Sequence, residues 1–111
     1  MYYPGLEKSP YHDVAKAQFR GGLFGGMLSA DLRGGEAGAS AFVAALKLIK
    51  FAPSLAGPAT TLSYPAKNSH RSITPEALAQ AGISMGQLRF SIGLEAPEDI
   101  ISDMDQAMEK I

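Results

Sequence analysis

Leu88, Phe90, Ile92 and Leu94 alternate with Arg89, Ser91 and Gly93. A period of two predicts a half-buried strand with one apolar and one polar face. Upstream, Ala39, Phe42, Val43, Leu46 and then Ile49 or Lys50 recur at helical spacing, which predicts an amphipathic helix over roughly 36–50. Ala52-Pro53 should stop it, because the residue before a proline disfavours the α region. Thr74-Pro75-Glu76 has the chemistry of a helix start, and Gly82 that of the glycine just past a helix end. Pro97-Glu98-Asp99 opens the last helix, with two acids at the positive end of its dipole. Ile100, Ile101, Met104, Ala107, Met108 and Ile111 form its apolar stripe. Ser9-Pro10 reads as an N-cap followed by proline at the first helical position, starting a helix that runs to about Gln18. Tyr2-Tyr3, Met27–Leu32 and Thr60–Tyr64 read as short strands. Strands and helices therefore alternate β-α-β-α-β-α-β-α. The expected fold is α+β: a small, mostly antiparallel sheet with helices on one face.

Composition narrows the function classes more than it selects one. A length of 111 residues fits one domain, 1–111, and 46% hydrophobic residues suffice for a packed core. Ten basic residues against eleven acidic ones give a net charge of −1, which removes the electrostatic warrant for nucleic-acid binding. The absence of cysteine excludes disulfides, thiolate metal sites and a cysteine nucleophile, and is compatible with a cytoplasmic protein. The apolar run from Ala41 to Ile49 is broken by Lys47 and is too short to span a membrane. The start, MYYPGLEKSP, lacks the basic and apolar regions of a signal peptide.

Generic site motifs are missing. There is no phosphate-binding G-x-x-x-x-G-K-[ST] loop and no G-x-G-x-x-G. His12 and His70 lack the acids or cysteines that a metal site needs. Ser69 and His70 are sequence neighbours, which are not expected to face each other as nucleophile and base. Arg89 stands out because it lies mid-strand on the non-core face. Its planar fork suits a carboxylate, and an ordinary surface ion pair is an equally good reading of the spacing alone.

Several segments, taken together, resemble the Cys/Met-metabolism enzymes that use pyridoxal phosphate (PLP). Tyr2-Tyr3-Pro4-Gly5-Leu6, His12 to Gln18 and Gly25-Gly26-Met27-Leu28-Ser29 resemble that family's YPGL…H-x-x-A-x-x-Q…GGMLSF stretch. Ser54-Leu55-Ala56-Gly57 resembles its SLGG. Tyr64 to His70 resembles its HPA-x-x-TH, and Gln87 to Glu95 its LIRLSVGLE. The resemblance implies the C-terminal domain of such an enzyme. The cofactor would then be PLP in the full-length parent, with none bound covalently to this chain, and the catalytic Schiff-base lysine would lie in a separate large domain. No lysine here has the S-x-T-K context of that residue. By the same resemblance, Arg89 is the arginine that grips the α-carboxylate of the amino-acid substrate. Ser54 is a serine approaching the same carboxylate, and Ser69 stands where the family usually has a threonine. The implied partners are that substrate carboxylate, the parent's own large domain and further copies of the subunit, a tetramer in the parent. The implied chemistry is β- or γ-elimination or replacement on sulfur amino acids or O-acylhomoserine, with this chain inactive alone. Ala56 departs from the first glycine of SLGG, Ala59 from a frequent glutamate, and Ala96 from the usual aspartate cap. Pro53 stands where the cystathionine γ-enzymes carry glutamate. The competing expectation is a free-standing, non-enzymatic binding or oligomerisation domain derived from the same family. The tyrosine-rich start favours a fragment of a full enzyme over that alternative.

Overall fold

The alternating segment forms strand β4 (Gln87–Ser91), and it lies inside the sheet rather than at its edge. The computed structural model describes all residues, 1–111. In chain order the elements are α1 (His12–Gln18), β1 (Met27–Asp31), α2 (Gly35–Ala45), β2 (Lys50–Phe51), β3 (Thr61–Ser63), α3 (Pro75–Gln80), β4 and α4 (Pro97–Met108). The strand order is β1-β4-β3-β2. β4 pairs antiparallel with both β1 and β3, whereas β2 runs parallel to β3. The sheet is therefore mixed, with two antiparallel pairings and one parallel pairing. β2 has only two residues, too few to register as an alternating run. Tyr2-Tyr3 is not a strand: Tyr2 alone makes a bridge to Ser29, with N···O distances of 2.7 and 3.1 Å.

Residues paired across neighbouring strands share a face. One face carries Leu28, Phe90 and Leu62 in one row and Ala30 with Leu88 in the next. Leu62, Leu88 and Phe90 are buried there against Ala39 and Phe42 of α2, Leu78 of α3, and Ile100 and Ala107 of α4. Phe42 meets Phe90 edge-on, with ring centroids 6.3 Å apart. Each such side chain contributes about 1.5–3 kcal/mol through burial. α1 buries only Ala15, and that residue is not part of this core. So α2, α3 and α4 share the apolar face, as expected, and α1 does not.

Helix boundaries follow local signals where those exist. Thr74 Oγ1 accepts the backbone N–H of Ala77 (3.3 Å), Pro75 begins α3, and Gly82 takes a φ of +73° just past its end. Ser9 Oγ instead accepts from Tyr11 N (3.3 Å) in a turn, and α1 starts later, at His12. α2 ends at Ala45, five residues before the expected Lys50. Asp103 of α4 is the physical reason. Its carboxylate accepts the N–H groups of Lys47 (2.8 Å), Leu48 (2.9 Å) and Ile49 (2.9 Å), and Gln106 Nε2 donates to Ala45 O at 2.7 Å. Those donors are drawn out of any helix, and the chain extends from Leu46 (φ −63°, ψ 140°) into β2. The stripe of α4 is narrower than expected. Ile100, Met104 and Ala107 face the core, Asp103 takes a buried place among them, and Ile101, Met108 and Ile111 are exposed. No helix is long and apolar enough to cross a membrane.

Candidate functional site

The second face of the sheet is polar. Its rows are Met27–Ser91–Thr61, Ser29–Arg89–Ser63 and Asp31–Gln87. Alternation along three strands puts Ser29, Ser63, Ser91 and Thr61 on the same face as Arg89. Arg89 is half-buried and makes no side-chain hydrogen bond or ion pair within the chain. The sole ion pair joins Lys67 to Glu36 at 3.0 Å, far from β4 in sequence. Asp31, the one acid on this face, is already engaged. It accepts from the Tyr2 hydroxyl at 2.6 Å and from Ser84 Oγ. Burial pushes its carboxyl up, but these two hydroxyls outweigh that and hold it below the usual aspartate range. The surface-ion-pair reading of Arg89 therefore fails for want of a partner. What remains is a half-buried cation on a neutral polar face, without a partner in the chain.

The segment between β2 and β3 lies on the same face. Ser54 O accepts from Thr61 Oγ1 (3.0 Å), and Ala56 N donates to Ser91 Oγ (2.9 Å). Thr61 is two residues from Ser63, the register partner of Arg89. This tether brings the Ser54 segment over the strand pair that carries the guanidinium. Ala56 is the one non-glycine residue with left-handed backbone, at φ +56°. That explains why the departure from glycine at this position matters: a Cβ there is strained.

Ser69 is placed differently. It is exposed in the turns that follow β3, and its Oγ lies 2.8 Å from His70 Nδ1. The expectation that these neighbours would not face each other is thus corrected. No acid orients His70, and no hydrogen bond links Ser69 to the Arg89 face. His12 Nδ1 lies 2.9 Å from Pro4 O, with its ring 5.4 Å from that of Phe24, which is a packing role. Nowhere do three or more His, Asp or Glu side chains converge as metal ligands would.

Sequence reasoning missed a knot at the end of β4. Glu95 Oε1 accepts from Thr60 N, and Oε2 from Thr60 Oγ1, both at 2.7 Å. Thr60 Oγ1 in turn accepts from Gly93 N at 2.9 Å. The Thr60 N–H, then its hydroxyl, hold the Glu95 carboxyl below its ordinary range. No local pattern announces a contact spanning 35 residues.

Residues 1–109 match the family described as Cys/Met metabolism PLP-dependent enzyme. The chain belongs to that family. It is 43% identical to an L-methionine gamma-lyase of Fusobacterium nucleatum subsp. polymorphum over all 111 residues, which is 28% of that enzyme. Identity to a cystathionine gamma-lyase of Bacillus subtilis is 42%, with the same coverage of both chains. Among solved structures, the chain superposes on cystathionine gamma synthase from Xanthomonas oryzae pv. oryzae in complex with cystathionine. The TM-score is 0.89 at 43% identity, covering 98% of this chain and 28% of that one. Yeast cystathionine gamma-lyase gives a TM-score of 0.92 at 37% identity, with 97% and 28% covered. This chain of the Cys/Met-metabolism family thus spans about 28% of the length of these relatives.

The family's cofactor places demands that these residues do not meet. An aldimine-forming lysine must be desolvated or set beside other cations to be neutral. Lys8, Lys16, Lys47, Lys50, Lys67 and Lys110 are all exposed. Lys67 is moreover engaged by Glu36 and by Ser40 Oγ (3.1 Å). None of the six lysines therefore has the setting of an aldimine-forming lysine.

Proposed function

We propose that this chain is the substrate-carboxylate-binding part of a PLP-dependent trans-sulfuration enzyme. The carrying observation is Arg89, unpartnered at the centre of a polar sheet face onto which the Ser54 segment is pinned. A bidentate guanidinium–carboxylate pair fixes the orientation of an amino acid, which is what reaction at its β- or γ-carbon requires. Ser54 borders that pair; Ser69, whose hydroxyl meets His70 in the turns after β3, is joined to the site by the family resemblance alone. The reaction class is elimination or replacement on sulfur amino acids or O-acylhomoserine. Its support is the identity to a methionine gamma-lyase, cystathionine lyases and an O-acetyl-L-homoserine sulfhydrylase of Thermus thermophilus. The cofactor, its lysine and the chemical steps belong to the remainder of the subunit. The chain alone is therefore inactive, and the assembled enzyme is a cytoplasmic homo-oligomer.

The test is Arg89→Ala in the full-length enzyme. Loss of a partly buried charge pair should cost about 2–5 kcal/mol, a fall in kcat/KM of about 30-fold to several thousandfold with cofactor content unchanged. An unchanged kcat/KM would remove the assignment. The coding DNA on both sides fixes the place in the parent. The motif order leads us to expect an S-x-T-K domain upstream, at the N-terminal side. The same domain encoded downstream of Ile111 would put this chain at the start of its parent. A stop codon on each side would favour a free-standing binding domain.

A further inference from the structure

We propose that Thr60 and Glu95 are positioning residues that hold the Ser54 segment in register with Arg89, an inference that rests on the carboxylate-binding reading above. Thr60 is completely buried. Its N–H and hydroxyl both go to Glu95, and its oxygen also accepts the Gly93 N–H. Leu94 N donates to Pro58 O at 2.8 Å, so the backbones on either side of the knot are joined as well. The approach leaves no room for a side chain: a Cβ on Gly93 would lie 2.5 Å from Pro58 O and Thr60 N. Glu95 makes no ion pair. A carboxylate committed to one hydroxyl and one backbone N–H, with no cation, acts as a two-pronged fastener whose effect is geometric.

What it fastens is specific. The segment from Ala52 to Thr60 leaves β2 at Ala52, whose N–H donates to Leu62 O at 2.9 Å. It returns to β3 at Thr60. Its middle is held by the Thr61–Ser54, Ala56–Ser91 and Leu94–Pro58 hydrogen bonds. Glu95 lies just past the end of β4, and Arg89 lies within that strand. The knot therefore links the return of the Ser54 segment directly to the strand bearing the guanidinium. A misplacement of about 1 Å between two groups that grip one ligand can cost about a hundredfold in rate.

A double-mutant cycle in the full-length enzyme separates positioning from bulk stability. Thr60→Val keeps the volume and removes the hydroxyl; Thr60→Ser keeps the hydroxyl. We expect Thr60→Val to raise KM about tenfold with a smaller change in kcat, and Thr60→Ser to restore KM to within about twofold. Combined with Arg89→Ala, Thr60→Val should add less than about twofold, because the grip it aligns is already gone. If Thr60→Val does not accumulate as holoenzyme, Glu95→Gln takes its place in the cycle. A normal KM for the positioning variant while Arg89→Ala raises KM would overturn the proposal. So would a full tenfold effect persisting on the Arg89→Ala background. If Arg89→Ala itself leaves KM unchanged, the carboxylate reading fails, a result distinguishable from failure of the knot.

Discussion

Asp103 is the residue whose chemistry shapes the fold most directly. Burial pushes its carboxyl pKa up, but the N–H groups of Ile49, Lys47 and Leu48 and the Gln106 amide outweigh this, and the net shift is downward. A folded value below the unfolded one means that the ionised form stabilises the native state. That stabilisation is complete above the ordinary aspartate value of about 3.9 and is lost as pH falls below it, through the folded value. Glu95 and Asp31 are shifted in the same direction, so the three reinforce one another on the acid side. Asp103→Asn should cost about 2–3 kcal/mol at pH 7, because one of its three backbone donors then faces an amide N–H₂. It should also flatten the fall of stability below about pH 4. Urea titrations of the chain at pH 7 and between about pH 2 and 5 measure both effects. A variant with an unaltered acid limb would show that Asp103 is not the group that titrates.

The strain at Ala56 belongs to the element that carries Ser54. A Cβ at φ +56° costs roughly 1–2 kcal/mol, partly offset by the lower backbone entropy of alanine in the unfolded chain. Ala56→Gly should therefore stabilise the chain by about 0.5–1 kcal/mol, read as a higher urea midpoint at unchanged slope. A lower midpoint would mean that the left-handed conformation is not under strain. What the sequence displayed of such elements depended on how local their causes are. The period of two in β4 and the Thr74–Pro75 start of α3 are contained in a few adjacent residues, and both were legible. The end of α2 was not, because the acceptor that draws out its last donors lies 54 to 56 residues away. β2 was invisible for a different reason: two residues carry no periodicity. The site divides in the same way. Arg89 could be placed on the non-core face from alternation alone. Its lack of a partner, the seat of Ser54 on the same face and the Thr60–Glu95 knot are long-range facts that only the fold supplies.

At the scale of the whole molecule, the apolar surface is unevenly covered. The core on the Leu88–Phe90 face is closed by three helices, yet α1 and its flanks remain outside it. Tyr11, Val14, Phe19 and Leu23 are each about half exposed or more, with Leu23 at 74%. They fall within thirteen residues of one another, in a segment whose only buried side chain is Ala15. Isolated apolar side chains on a surface are ordinary; a run of this kind on and beside a helix that adds nothing to the core is a contact surface in want of a cover. The chain spans about 28% of its relatives, so the remainder of a subunit is available to provide that cover in the parent. The 111-residue chain alone should instead associate with itself through this segment. Light scattering across a hundredfold range of concentration should show mass rising toward a dimer or beyond. Val14→Glu with Leu23→Glu should return the chain to a monomer whose urea midpoint equals that of the unaltered chain at concentrations too low for association, because neither side chain belongs to the core. A single monomeric mass at every concentration would show that the α1 surface is tolerated by water. Association that persists in the double variant would move the contact to another face of the molecule.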